Sequence, residues 1–176
     1  MSDGIPESLG DHDRERGREM AGHGSAFWHV EVVHPDPDAA ADFLRAVFGA
    51  EQVEGQLSSY IESVSPGARI IHMKLGGVVF QFVKPGPGAE SWQQALDANG
   101  PCVHNVTLLV EGLEPTREAM IARGCRQVSE FDVTLQGGGL DVEGRQRAYL
   151  MDALAQVGLR IEMMETIPGW VPGEAS

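Results

Sequence analysis

The sequence has few cysteines and few lysines, and each shortage excludes a class of protein. Only Cys102 and Cys125 occur, without a CxxC pair, so neither zinc-finger or redox chemistry nor a disulfide framework is predicted. Lys74 and Lys84 are the only lysines, and the formal net charge is -13. Because nucleic-acid phosphates are bound by clustered Lys and Arg, this balance excludes a nucleic-acid partner and does not favour an anionic membrane surface.

Long apolar segments are also absent. No apolar run approaches the roughly 20 residues that span a bilayer, and the N-terminus lacks the basic-then-apolar pattern of a secretory signal. We therefore expect a cytoplasmic protein without a membrane partner. The chain of 176 residues is 42% hydrophobic and 22% charged, which is ordinary for one globular domain.

Composition divides the chain into five parts. Residues 1–25 are rich in charge, Gly and Ser, and are predicted to form a flexible arm because they cannot bury enough surface to offset the entropy of ordering. Two similar structural modules are predicted at 26–90 and 101–167, with a connector at 91–100 and a C-terminal tail at 168–176.

The stretch from Phe27 to Gly49 predicts a strand followed by a helix. In FWHVEVV the β-branched and aromatic residues favour a strand, and the period of two places His29 and Glu31 on one face. Asp36 or Asp38 can cap a helix that begins near Asp38, and Gly49 suits its left-handed end.

Further β-rich segments follow this helix. A second strand is predicted at Tyr60–Val64, and Gly76-Gly77 predicts a hairpin between the strands 68–75 and 78–83, the second of which carries Gln81. The chain then repeats the pattern at an offset of roughly 76–81 residues. The predicted elements of this second unit are a strand at 103–110, a helix at 114–123 and strands at 126–131, 147–151 and 159–164, with a flexible lid at 132–144 and a turn at 152–158. The predicted fold is α+β, with two paired βαβββ modules that form a cupped mixed sheet.

Three polar residues are predicted to point into this cup, namely His29, Gln81 and Glu162. Their nitrogen and oxygen donors suit a divalent metal such as Zn, Mn, Co, Fe, Ni or Mg, although a structural hydrogen-bond partner would also satisfy each buried group. On the strand that opens the second module, alternation places Asn105 with Thr107 and turns His104 to the other face.

Other polar residues supply candidate acid–base and substrate-binding groups. Glu31 shares the face of His29 and could act as a base or orient a ligand, and His72 titrates in a range that suits proton transfer. Glu162 could also move a proton. The candidate substrate contacts are Asn105, Thr107, Arg147 and Tyr149.

Several motifs, taken in order over about residues 27–166, resemble the vicinal oxygen chelate (glyoxalase/bleomycin resistance/extradiol dioxygenase) superfamily, and most of all its methylmalonyl-CoA epimerase-type members. They are His29 with the following VEVV and Asp36, the helix end FGAE, the strand end from Gln81 to Pro85, the segment GPCVHNVTLLV and the closing GLRIEM. The resemblance implies a metal at His29, Gln81 and Glu162, an acid–base group on the strand of His72, and a homodimer. Members with a His-His pair use the second histidine as fourth ligand, and Asn105 stands at that position here. Either a bulge turns His104 inward, or Asn105 replaces the ligand, or the metal is weak or absent.

The resemblance implies a metal-dependent isomerase, epimerase or lyase that removes a proton next to a metal-chelated carbonyl of a small organic acid or thioester. Two alternatives stay open. One is a metal-free protein that sequesters a small molecule, as bleomycin-resistance relatives do, which Asn105 favours. The other is a single-domain extradiol-type dioxygenase or glyoxalase, which requires His104 to turn inward.

Overall fold

The computed structural model describes residues 25–53, 65–137 and 140–166. The predicted arm before Ser25, the predicted strand Tyr60–Val64 and the predicted tail at 168–176 lie outside these residues.

Within the described residues, strands and helices alternate in two similar runs. The first run contains β1 (Ser25–Val33), α1 (Pro37–Phe48), β2 (Glu51–Val53), β3 (Arg69–Leu75) and β4 (Val78–Lys84). Helix α2 (Glu90–Asn99) connects it to the second run, which contains β5 (Cys102–Val110), α3 (Leu113–Ala122), β6 (Arg126–Gly137), β7 (Leu140–Ala153), α4 (Leu154–Val157) and β8 (Leu159–Glu165).

Capping residues in the sequence account for where helix α1 begins and ends. Of the two predicted caps, Asp36 is the one used, since its side chain accepts a hydrogen bond from the Ala39 amide at 3.1 Å. Pro37 follows at the first helical position, where a missing amide proton costs nothing. Gly49 ends the helix with a φ of 69°, a left-handed conformation that favours glycine.

The strands of the described residues form one eight-stranded sheet in the order β2-β3-β4-β1-β5-β8-β7-β6. Strand β1 runs parallel to β4, and β5 runs parallel to β8, while β1 and β5 pair antiparallel and connect the two halves. Each half therefore has the same strand arrangement with its own helix. The predicted α+β fold of two paired βαβββ modules is confirmed.

Helices α1 and α3 cover one face of the sheet. Ala41 of α1 packs with Ile71, Met73 and Phe82, and Leu113 of α3 packs in a second cluster with Tyr149 and other buried residues of its half. Strand alternation places His29, Gln81 and Glu162 on the opposite face, called the inner face below. No helix in the described ranges is long and apolar enough to cross a membrane.

Two local predictions are wrong. Of the segment predicted as a lid at 132–144, the described residues 132–137 and 140–144 belong to paired strands, because β6 and β7 pair from Arg126 opposite Asp152 to Gly137 opposite Leu140. Backbone pairing satisfies the amide groups of this segment, which a flexible lid would leave to water. The predicted turn at 152–158 contains the short helix α4.

Candidate functional site

The buried polar residues of the inner face lie in two rows across neighbouring strands. One row contains His72, Gln81, Glu31 and Asn105, which are directly paired from β3 through β4 and β1 to β5. The other contains His29, Thr107 and Glu162 on β1, β5 and β8. Directly paired residues share a face, and all seven side chains are buried. The sheet thus brings these seven predicted candidates from both halves together at one place.

A β-bulge decides the orientation of His104. Along the β1–β5 pairing, Glu31 lies opposite Asn105 but the next residue, Val32, lies opposite Val103, so His104 is the extra residue. Simple alternation turns His104 away from Asn105, whereas the bulge lets both side chains reach Glu31. The inward rotation that the sequence left open is therefore present, together with Asn105 at the same place.

Glu31 is the centre of a buried hydrogen-bond cluster. Its Oε1 atom accepts from Trp92 Nε1 at 2.8 Å and from Asn105 Nδ2 at 2.8 Å, and lies 2.7 Å from His104 Nδ1. A carboxylate only accepts hydrogen bonds, so the Nδ1 atom of His104 carries the proton in this contact. Nε2 of His104 is buried and has no hydrogen-bond partner among the described residues.

The predicted metal ligands have other close partners. His29 Nε2 lies 3.0 Å from the Thr107 hydroxyl, which donates to Asn105 Oδ1 at 3.2 Å. The Gln81 amide nitrogen lies 2.9 Å from His72 Nε2 and donates to it. This bond leaves the amide oxygen of Gln81 for another contact. Nδ1 of His29 is buried without a partner in the described part of the chain.

Burial shifts the protonation of three groups in opposite directions. It lowers the pKa of His72 to about 4, and burial together with the nearby His72 holds the pKa of His29 well below its usual range. Burial, reinforced by the negative charge of Glu31, raises the pKa of Glu162 to about 8. At neutral pH the site therefore contains two uncharged histidines and a protonated Glu162.

A cavity of about 470 Å³ lies beside this cluster. Helix α2 forms one wall, and the first residues of β5 and β8 form another together with Leu150. His104 lines the cavity, and so does Arg160, whose Nε atom is buried without a hydrogen-bond partner within the described ranges. The volume is in the range of small-molecule sites.

The donor set fits a divalent metal in its chemistry. His29, Gln81 and Glu162 offer nitrogen and oxygen donors, His29 Nδ1 is an orphaned buried atom, and a nearby cation would lower the raised pKa of Glu162. The described residues contain no group of three His, Cys, Asp or Glu side chains placed to hold a metal ion. A site at these positions would thus depend on the amide oxygen of Gln81.

Two predicted substrate contacts are not brought to the inner face. Tyr149 packs in the cluster beneath α3, and its hydroxyl donates to Glu114 at 2.5 Å. Arg147 binds the same Glu114 oxygen at 2.6 Å. Strand β7 instead directs Leu150 to the inner face, opposite Glu162.

Sequence reasoning missed two residues of this region, Trp92 and Arg160. Trp92 lies on α2, and nothing in its local sequence indicates that the helix meets Glu31. Arg160 could have been found, because it precedes Glu162 by two residues on one strand and so shares its face.

No protein-family model matches the chain, and no curated protein matches it. Several solved structures, however, match the chain. Methylmalonyl-CoA epimerase from Mycobacterium tuberculosis is 21% identical, with 81% of this chain and 88% of that chain covered and a TM-score of 0.56. A methylmalonyl-CoA epimerase in complex with methylmalonyl-CoA and NH4+ is 17% identical, with 86% and 99% covered and a TM-score of 0.59.

Two further structures have the same fold. A Streptomyces coelicolor methylmalonyl-CoA epimerase variant in complex with 2-nitronate-propionyl-CoA is 18% identical, with 83% of this chain and 97% of that chain covered and a TM-score of 0.58. The hypothetical protein BH1468 from Bacillus halodurans C-125 is 12% identical, with 84% and 99% covered and a TM-score of 0.62. The chain has the vicinal oxygen chelate fold that these epimerase structures share.

Proposed function

We propose that the protein is an isomerase, epimerase or lyase that moves a proton next to the carbonyl of a small organic acid or thioester. The observation that carries this proposal is the buried pair of Glu31 and His104 at the cavity wall. Epimerases share this fold, so the fold is compatible with the proposed reaction, but a fold alone does not identify a reaction.

The Glu31–His104 pair has the parts of a general base. Glu31 holds the Nδ1 proton of His104, which leaves the lone pair of Nε2 free to accept a proton from a ligand in the cavity. Once His104 has taken that proton, the carboxylate of Glu31 stabilises the imidazolium. Trp92 and Asn105 fix Glu31 in this position through their own hydrogen bonds. The proposed base is therefore His104, and Glu31 positions it.

The proposal includes a divalent metal held by His29, Gln81 and Glu162. When bound, such an ion would withdraw electron density from the substrate carbonyl and make the neighbouring carbon acid stronger. His72 would orient the amide of Gln81 so that its oxygen is presented, and Thr107 would fix the ring of His29.

Hydrogen exchange into a substrate tests the proton transfer. Incubation with methylmalonyl-CoA or free methylmalonate in deuterated buffer is expected to place deuterium on the carbon next to the carbonyl, as measured by mass spectrometry. His104→Gln should slow this exchange by at least about 100-fold because it removes the base. His34→Gln, which changes a histidine outside the cluster, should leave the rate unchanged. Absence of deuterium from both compounds, or an equal rate in His104→Gln, contradicts the proposal.

Metal analysis tests the proposed ligands. Wild-type protein purified with Zn or Mn is expected to retain about one ion per chain, and His29→Ala should retain less than about a tenth of that amount. Circular dichroism of both proteins shows whether the fold is intact. If the folded mutant retains as much metal as the wild type, His29 is not a ligand.

A second candidate function is metal-free binding of a small molecule. It is favoured by the close partners of His29 and Gln81, and by the lack of a group of three His, Cys, Asp or Glu ligands in the described part of the chain. Tight ligand binding by metal-free protein, without deuterium incorporation, would support this function over the enzyme.

The thioester is the less supported form of the substrate. Two compared epimerase structures contain coenzyme A compounds, but this chain has only Lys74 and Lys84 as lysines and a net charge of -13. The phosphate groups of coenzyme A would meet an acidic protein with few lysines. The homodimer stays a prediction from the resemblance.

A further inference from the structure

Arg160 lines the cavity and has a buried donor without a partner in the described part of the chain. It lies at the start of β8, two residues before Glu162, and lines the cavity with Nε buried and without a hydrogen-bond partner in the described residues. A guanidinium carries several N–H donors and no acceptor, so it needs an acceptor from elsewhere. A buried donor left unpaired destabilises the protein unless a ligand or water satisfies it.

A carboxylate close to Arg160 is already engaged by other groups. Asp152 lies opposite Arg160 in the β7–β8 pairing. Its Oδ2 atom accepts from Arg126 Nη2 at 3.1 Å, and its Oδ1 atom accepts from the Leu154 amide at 3.1 Å. The negative charge of Asp152 lies near Arg160, but no hydrogen bond joins the two side chains. The Nε donor of Arg160 thus has no acceptor among the described residues, at a residue that lines the cavity.

The rest of the cavity is suited to an apolar body. Four apolar residues of the lining are partly exposed and supply its wall; they are Val103, Val128, Leu154 and Leu159. His104 lies in the same lining with Nε2 unpaired. A ligand with an anionic end at Arg160 and an alkyl body along this wall would therefore pass the proposed base.

We propose that Arg160 binds the carboxylate of an alkyl carboxylic acid in this cavity, and so determines the ligand class of the site. The planar fork of the guanidinium matches the two oxygens of a carboxylate. This inference deepens the proposed function and rests on it for the identity of the acid as a substrate. The binding itself is measurable without turnover.

Hexanoate and hexanamide, which differ in charge but share the alkyl chain, serve as probes. Hexanoate is expected to bind the wild-type chain at least about tenfold more tightly than hexanamide, as followed by amide chemical shifts in NMR titrations. The shifts should centre on the first residues of β5 and β8. Arg160→Gln should abolish the preference for hexanoate, whereas Arg45→Gln, which removes an arginine that pairs with Asp42 on α1 and does not line the cavity, should keep it.

Three results would overturn the assignment: equal binding of the two probes to wild type, equal loss in the two arginine variants, or shifts centred elsewhere in the chain. His104→Gln separates this inference from the proposed reaction. That variant should bind hexanoate within about threefold of wild type even though it loses deuterium exchange, because Arg160 supplies the charge. Retained exchange with no preference for the carboxylate would refute the role of Arg160 alone.

Discussion

Glu162→Gln is expected to stabilise the metal-free protein at alkaline pH by roughly 2–4 kcal/mol, although it removes a charged residue. Glu162 is buried beside Glu31, and its pKa is raised from an ordinary value of 4.5 to about 8. Glutamine has nearly the same volume and stays neutral at every pH. The substitution therefore removes the free-energy cost of ionising a buried carboxyl group.

The sign of the effect follows from proton binding. Between about pH 4.5 and pH 8 the folded state keeps a proton on Glu162 that the unfolded state releases, so the contribution of Glu162 to stability is lost as the pH rises. The full difference in pKa corresponds to an upper bound of about 5 kcal/mol. Burial of His72, whose pKa is lowered to about 4, destabilises the fold in the other direction, as the pH falls. That effect is the same in wild type and variant, so it cancels in their difference.

Urea unfolding of chelator-treated protein at about pH 6 and about pH 9 measures the difference in unfolding free energy. The gain in unfolding free energy of the variant over wild type should be at least about 2 kcal/mol larger at the higher pH than at the lower pH. Glu165→Gln is the control, because Glu165 accepts hydrogen bonds from the Gly112 and Leu113 amides and should give no alkaline gain. Added Zn or Mn should stabilise wild type but not Glu162→Gln. A variant that is no more stable than wild type at the higher pH would contradict the prediction.

Local chemistry made much of the fold predictable. Asp36 and Gly49 bound helix α1 because a carboxylate cap and a left-handed glycine act over a few residues, and Gly76-Gly77 joins β3 to β4 for a similar reason. The repeat then predicted the two halves. By contrast, the hairpin of β6 and β7 depends on pairing between residues that are far apart in the sequence. The glycines in this segment made it resemble a flexible loop.

The site was predictable only where strand alternation held. Pairing with the parallel neighbour strand is continuous at His29, Gln81 and Glu162, so their shared face could be read from the sequence. His104 sits in a bulge, and one inserted residue reverses the alternation that predicts its face. Trp92 reaches Glu31 from α2, across a separation of 61 residues. Contacts of that kind are set by packing, which no local pattern encodes.

Glu31→Ala is expected to destabilise the protein by about 4 kcal/mol at about pH 6. The carboxylate of Glu31 accepts from the side chains of Trp92, His104 and Asn105, so alanine leaves buried donors without an acceptor. Loss of the charge also removes one cause of the raised pKa of Glu162, which offsets part of the cost at higher pH. The lower pH is chosen because Glu162 is protonated there in both proteins.

A double-mutant cycle with Trp92→Phe separates this cluster from a simple loss of packing. Trp92→Phe removes one donor and most of the ring stays, so it should cost about 1 kcal/mol in urea unfolding. In the Glu31→Ala background the same change should cost nearly nothing, because the indole N–H is already unpaired there. The coupling matters for function, since a carboxylate held by several donors keeps His104 in one tautomer. Additive costs, or a cost for Glu31→Ala below about 1.5 kcal/mol, would show that Glu31 does not hold the cluster together.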